Sequence, residues 1–198
     1  MDRLRVLVGC EMSRTVAAAF ERRGHFAVSC DLQAAMVDGR HYRGDVFDLI
    51  EGLGGRPWDL AIFHPPCTYL CNSGVRWLYQ HGRPEPVRWA QMEAAARFFR
   101  RLLEADIPRV AVENPIMHRY AREIVGRPPD QILQPWQYGH GETKATCLWL
   151  RGLRPLVPSS IVAGREARIH RMSPGPDRGL LRSLTYPGIA EAMAAQWS

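Results

Sequence analysis

Cys67 stands just beyond an apolar run, Leu60-Ala61-Ile62-Phe63, that is cut off by His64-Pro65-Pro66. Prolines lack the N–H that a sheet ladder needs, so the strand must stop near Phe63. A thiol at the end of a buried strand, in a loop stiffened by two prolines, is a candidate nucleophile. A second apolar run, Arg109-Val110-Ala111-Val112, ends in Glu113-Asn114-Pro115. A carboxylate at one strand end and a thiol at another form a pair that covalent catalysis with acid–base help would use. Either group alone has an ordinary reading. Free cysteine packs as a small apolar residue, and a glutamate at a strand end can cap the next helix.

The first third of the chain offers a place for a cofactor. Arg5-Val6-Leu7-Val8 reads as a buried strand, Gly9-Cys10-Glu11-Met12-Ser13 as a tight turn, and Thr15 to Arg23 as a helix. Ser13 is the expected N-cap and Gly24 the stop. His25 to Cys30 is a second strand, with Asp31 at its tip. A helix N-terminus after a tight turn favours an anion, and a carboxylate after the second strand suits ribose hydroxyls. Gly9 is the only glycine in the turn, so there is no G-x-G-x-x-G, and a plain βαβ element fits equally well. A short extended segment follows at His41-Tyr42-Arg43, then a helix. Asp45 either caps that helix or faces a nucleotide base.

The remaining elements must hold these groups in place. Gly52, Gly54, Gly55 and Pro57 form a loop into the Cys67 strand. Arg76, Trp77, Tyr79 and His81 make a segment that either faces nucleic acid or packs as a partly buried aromatic cluster. Trp89, Met92, Ala95, Ala96, Phe99, Leu102 and Leu103 give the core stripe of a long helix from about Val87 to Ala105. A short helix covers Met117 to Val125. Ile132 to Gly139 is extended, His140-Gly141-Glu142 turns, and Lys144 to Leu150 is a strand antiparallel to it. From Arg151 to about 183 periodicity is lost. Arg165, Arg168, Arg171, Arg178 and Arg182 lie there among prolines and glycines, as either a phosphate-facing loop or a flexible basic surface. A short helix follows Pro187-Gly188.

Composition narrows the class. The 198 residues suit one α/β domain, and the net charge of +6 hints at a polyanionic partner. Lys144 is the single lysine among 26 basic side chains. No apolar run is long enough for a membrane span, and Met1-Asp2-Arg3-Leu4-Arg5 has no signal-peptide pattern, so a cytoplasmic location is expected. Five scattered cysteines argue for free thiols. Cys67, Cys71, His64 and His81 lack the paired spacing of a metal centre, so no metal is expected.

Pro66-Cys67 and Glu113-Asn114, in this order and at these strand ends, resemble the nucleophile loop and catalytic pair of the cytosine-5 DNA methyltransferases. Tyr138-Gly139 with Lys144 is similar to that family's Tyr-Gly…Arg segment, and Pro187-Gly188-Ile189-Ala190 to its last motif. The likeness runs from Val6 to about Leu150 and resumes at Ser183, in a short form like those of phages and restriction–modification systems. It implies a Rossmann-like methyltransferase fold: a mixed, mostly parallel sheet with helices on both faces, in a single domain spanning 1–198. It implies S-adenosylmethionine as donor and S-adenosylhomocysteine as product. These would be held by Gly9, Cys10, Glu11, Ser13, Asp31, Leu32, Asp45, Pro65 and Pro66. Catalysis would fall to Cys67, Glu113, Asn114 and Lys144, acting on a cytosine flipped from DNA. Arg76, Arg165, Arg168, Arg171, Arg178 and Arg182 would meet its phosphates.

The resemblance has departures. Thr68 stands where the family commonly has Gln, and Glu142 and Lys144 replace its Gln and Arg. Lysine keeps the charge but loses the bidentate fork. The large target-recognition domain is missing, and only residues 151–183 stand in its place, so short sequence context or none is expected. Covalent chemistry at carbon 6 needs a Cys67 thiolate, for which Arg76 and Lys144 are the nearby cations. Four alternatives remain open. They are a silent DNA-binding or anti-restriction module of the same fold, an amino (N4/N6) methyltransferase, an RNA cytosine methyltransferase, and an enzyme using a modified sulfonium donor. A monomer is one option for the oligomeric state.

Overall fold

Strand Leu60–Phe63 is buried at all four positions, which only the middle of a sheet covered on both faces allows. The structure, a computed structural model, describes residues 2–52 and 57–198; Gly54 and Gly55 of the expected loop lie outside the described residues. The elements in chain order are β1 (Arg5–Gly9), α1 (Thr15–Arg22), β2 (Phe26–Asp31), β3 (His41–Arg43), α2 (Val46–Ile50) and β4 (Leu60–Phe63). A 3₁₀ turn at Asn72–Leu78 leads to a small hairpin, β5 (Tyr79–Gln80) and β6 (Arg83–Pro84). Then come α3 (Pro86–Leu103), β7 (Arg109–Pro115), α4 (Arg119–Val125), β8 (Gln131–Leu133) and β9 (Thr146–Arg151). Two short helices, α5 (Arg168–Arg171) and α6 (Arg178–Ser183), precede α7 (Pro187–Gln196).

The main sheet has the order β3-β2-β1-β4-β7-β9-β8. The first five strands are parallel, and β9 and β8 run antiparallel to their neighbours. Strand side chains alternate between faces, and this divides the core in two. Leu7, Ala61, Phe63, Val110 and Val112 pack under α2, α3 and α4, around Phe99 and Trp149, whose rings are 4.9 Å apart. Val6, Val8, Leu60, Ile62 and Ala111 face the other way, against Phe20 of α1 and Met193 of α7. The expected α/β sheet with helices on both faces is the fold observed.

Several local expectations change. Ser13 is not the N-cap of α1. Arg14 occupies that position in a left-handed conformation, without a side-chain cap. The cap is Glu11, whose carboxylate accepts from Val16 N (2.6 Å) and Ala17 N (3.2 Å), while Ser13 Oγ accepts only from Thr15 N at 3.3 Å. The strand expected to stop at Val112 runs to Pro115, because β9 keeps pairing with it as far as Pro115 and Thr146. The helix expected from Met117 starts at Arg119, capped by His118 Nδ1 on Ala121 N. Of the segment expected to be extended from Ile132 to Gly139, only Ile132 and Leu133 are strand, within β8; Pro135–Gln137 is a 3₁₀ turn. The basic segment is tied to the body by bridges between Tyr138 and Ser160 and between Glu142 and Glu166.

Candidate active site

Parallel strands end on a common edge, and their register decides which residues meet there. Gly9 pairs with both Cys30 and Phe63, and Phe63 pairs with Val112. The next residue on each strand is therefore Cys10, Asp31, His64 and Glu113, side by side along the sheet. Gly9 is demanded by packing. A Cβ there would lie 2.6 Å from the Phe63 ring and from Val46.

A cleft of about 500 Å³ opens beside this row. Of the expected cofactor residues, Cys10, Asp31, Leu32, Asp45 and Pro66 line it. Asp31 also accepts from Gln33 N at 2.9 Å, and Asp45 caps α2 through Phe47 N at 3.0 Å. Glu11 is buried in its capping role, Gly9 lies within the sheet, Ser13 bonds within its turn, and the Pro65 carbonyl accepts from Asn114 Nδ2 at 3.0 Å. These four, expected to hold the cofactor, do not line the cleft. Its outer wall is one side of α3, Gln91, Ala94, Ala95 and Phe98, together with Tyr69. The i, i+4, i+7 spacing of Gln91, Ala95 and Phe98 is a signal for this second face.

The Cys67 loop is held from several sides. Its carbonyl accepts from Leu70 N and Cys71 N in a tight turn. Arg88 Nη2 of α3 donates to the Thr68 carbonyl at 3.0 Å, His118 Nε2 meets the Tyr69 carbonyl at 2.9 Å, and His118 N donates to the Leu70 carbonyl. The loop is thus clamped between α3 and the start of α4. Cys67 is half-buried beside Cys71. Its thiol is pushed up, first by hydrogen bonding to Cys71, then by burial and by the charges of Cys71 and Glu113. Cys71 moves the opposite way, to about 5, because Cys67 donates to its thiolate; burial opposes this, and Ser73 Oγ, 3.0 Å away, supports it. The pair ionises once with ease and a second time with difficulty. Of the two cations expected near Cys67, Lys144 feels the charge of Cys67, while Arg76 stacks on Trp77, 4.6 Å from its ring centre.

Glu113 uses both carboxylate oxygens. Oε1 accepts from Thr146 Oγ1, and Oε2 is 3.1 Å from His64 Nδ1. Asn114, buried, points its amide at the Pro65 carbonyl and so fixes the Pro-Pro-Cys loop to β7. Lys144 Nζ donates to the Leu184 carbonyl at 3.3 Å. Burial lowers the pKa of Lys144, while the charges of Glu113 and Cys67 hold it up. Cys67, Glu113 and Lys144 therefore lie within electrostatic range of one another, as the pairing of strand ends implied. Sequence reasoning gives His64 no catalytic part, and its contact with Glu113 is a feature of the site that it misses. Among the described residues there is no group of three or more His, Cys, Asp or Glu that could hold a metal ion. No helix among them is long and apolar enough to cross a membrane.

The basic segment closes over the Lys144 side of the site. Glu142 accepts from Arg168 Nη2 at 2.7 Å and from Tyr186 Oη at 2.6 Å. Arg168 is thereby committed to an internal ion pair. Arg165 stacks on Trp136 at 3.9 Å, and Arg178 Nε donates to the Met172 carbonyl. Arg182 acts electrostatically on Lys144, and Arg171 is exposed on α5 without an ion pair among the described residues. On the far side of the Cys67 loop, Arg76 and Trp77 are exposed beside the edge-packed rings of Tyr79, Trp89 and Tyr120.

No family model matches the chain, and no curated protein does. Among solved structures, it is similar to a protein of E. coli described as a DNA modification methyltransferase encoded within a prophage. The TM-score is 0.50 at 15% identity, over 80% of this chain and 52% of that one. The chain thus spans about half the length of that relative. The bifunctional kinase–methyltransferase WbdD also aligns, with a TM-score of 0.38 at 16% identity over 79% of this chain and 36% of its own. At these identities the likeness is one of fold.

Proposed function

We propose that this chain transfers a methyl group from S-adenosylmethionine to carbon 5 of cytosine in DNA, through a covalent bond between Cys67 and carbon 6, with short sequence context or none. The observation that carries the reading is the meeting of Cys67, Glu113 and Lys144 at adjacent strand ends, next to a cleft at the carboxyl edge of a parallel sheet. Ligands of open α/β sheets bind at that edge. The likeness in fold to the E. coli methyltransferase supports the general class.

The cleft suits the donor. Its volume falls in the usual range for small-molecule sites. Leu32, Pro66 and Phe98 give apolar walls for a purine, and Asp31 and Asp45 offer carboxylates for hydroxyl and amino groups. The bound sulfonium would supply an electrophilic methyl group.

The rest of the chemistry belongs to the chain. Carbon 5 of cytosine is a poor nucleophile until a thiolate adds to carbon 6. Cys71, which shares a proton with Cys67, is the acceptor for the proton that must leave. Electron density then runs from the new sulfur–carbon bond towards carbon 5 and ring N3. Glu113 meets N3 as general acid, and Lys144 balances the charges of Glu113 and the thiolate. After transfer the carbon 5 proton passes to solvent water, its electron pair expels the Cys67 thiolate as the sulfur–carbon bond breaks, and N3 returns its proton to Glu113. Asn114 keeps the Pro-Pro-Cys loop in place throughout. A base must leave the stack to reach this depth. Arg76, Arg165, Arg171, Arg178 and Arg182 would hold phosphates, while Arg168 pairs with Glu142.

The test is incubation with 5-fluorocytosine DNA and S-adenosylmethionine. Fluorine at carbon 5 blocks the final elimination, so an adduct that survives denaturation and maps to Cys67 is expected. It must be absent from Cys67→Ser, while DNA binding is retained. A wild-type chain that binds DNA and donor yet forms no adduct overturns the mechanism. Methyl found on N4 would identify an amino methyltransferase.

A further inference from the structure

His64 sits directly before the two prolines, and its ring closes onto Glu113 across β4 and β7, Nδ1 to Oε2 at 3.1 Å. The other Glu113 oxygen accepts from the Thr146 hydroxyl. Of these two neighbours only imidazole titrates near neutrality. The His64 side chain is 9% exposed, and its Nε2 is buried without a hydrogen-bond partner among the described residues. Three charged groups act on the ring from the elements around it: Glu113 on β7, Glu11 in the turn after β1, and Lys144 just before β9. Burial alone would drive the ring neutral, and Lys144 works in the same direction. The Glu113 hydrogen bond and the two carboxylate charges outweigh both, so the ring's pKa is raised.

We propose that His64 is the positioning residue that stores the proton Glu113 lends to the target base. The inference rests on the reaction proposed above. The resting pair is imidazolium and carboxylate, with one proton shared between Nδ1 and Oε2. As the Cys67 thiolate forms its bond to carbon 6, Glu113 protonates N3 and takes the stored proton from Nδ1, leaving neutral imidazole. As the sulfur–carbon bond breaks, N3 returns its proton to Glu113 and Nδ1 recovers its own. The His64–Glu113 pair ends the cycle with the proton it began with, and the one proton released overall is that of carbon 5. Without His64, no neighbour of Glu113 that titrates near neutrality is left to supply it with a proton.

The test compares wild type, His64→Asn and Glu113→Gln in two measurements. Asparagine preserves a donor near the Nδ1 position but cannot titrate. The rate of adduct formation with 5-fluorocytosine DNA is followed against pH. Wild type should show an alkaline limb set by the His64–Glu113 pair. In His64→Asn the rate at pH 7.5 should fall on the order of 100-fold, with that limb displaced towards acid. Nitrogen-15 histidine spectra should show the His64 ring titrating at lower pH in Glu113→Gln than in wild type. A wild-type adduct with an unchanged pH profile in His64→Asn overturns the relay and spares the reaction. An unmoved His64 titration in Glu113→Gln overturns it as well. A wild-type chain with no adduct overturns the reaction, and the relay with it. Unfolding curves of both variants check that the losses are not losses of fold.

Discussion

The Asn114 amide donates to the Pro65 carbonyl at 3.0 Å, linking β7 to the loop that carries the thiol. Forty-nine residues separate the two. The bond couples the strand of the acid to the loop of the nucleophile, so neither moves without the other. Asn114→Ala should leave the buried Pro65 carbonyl unpaired and cost about 1–3 kcal/mol of stability. Adduct formation should slow more than the stability loss accounts for. Denaturant unfolding and the trapping rate, measured on one preparation, check this.

The shared proton of Cys67 and Cys71 predicts an alkylation profile. A thiolate is present above its pKa, so a pair whose first ionisation is at about 5 reacts through the whole neutral range. Cys71→Ser removes the acceptor and leaves Cys67 with burial and Glu113, both of which raise its pKa. Its midpoint for reaction with iodoacetamide should move above about 8.5, the ordinary thiol value. Adduct formation at neutral pH should drop in parallel.

Much of this site could be read from residue order, and the reasons are local. Pro65 and Pro66 end β4 wherever the chain goes next, and the apolar runs at Leu60 and Val110 are buried strands by composition alone. The parts that could not be read depend on register. Whether His64 meets Glu113 is decided by the pairing of Phe63 with Val112, which no local pattern encodes. Glu11 replaces Ser13 as cap because Arg14 turns left-handed and carries the amides of Val16 and Ala17 back over the preceding residues. The cleft wall on α3 was hidden because Ala95 belongs to a continuous apolar stripe, and the stripe is wider than the core needs.

Asp31 tests the donor cleft. Its carboxylate stands at the end of β2 and lines the cavity. Asp31→Asn keeps the shape and the bond to Gln33 N but removes the charge. S-adenosylhomocysteine affinity should fall about 10- to 100-fold by calorimetry, in line with a lost charged hydrogen bond, with the melting temperature of the free chain little changed.

The His64 ring also predicts how stability varies with pH. Its folded pKa is raised above the unfolded value of about 6.5. The folded chain therefore binds the proton more tightly, and the contribution is complete below about pH 6.5 and lost as pH rises through the folded value. The melting temperature of wild type should exceed that of His64→Asn most at pH 5.5–6.5. The gap should narrow steadily towards pH 9.

The row Cys10, Asp31, His64 and Glu113 is also a ruler. Neighbouring strands are about 4.8 Å apart, so β2 and β7, with β1 and β4 between them, place Asp31 and Glu113 about 14 Å apart. That span separates the carboxylate lining the cleft from the carboxylate beside the Cys67 loop, and it is set by backbone hydrogen bonds. Loop changes can alter what stands at either end of the row, but the separation of the two carboxylates belongs to the sheet. A one-residue slip of β4 would turn His64 to the opposite face and break the row at its centre.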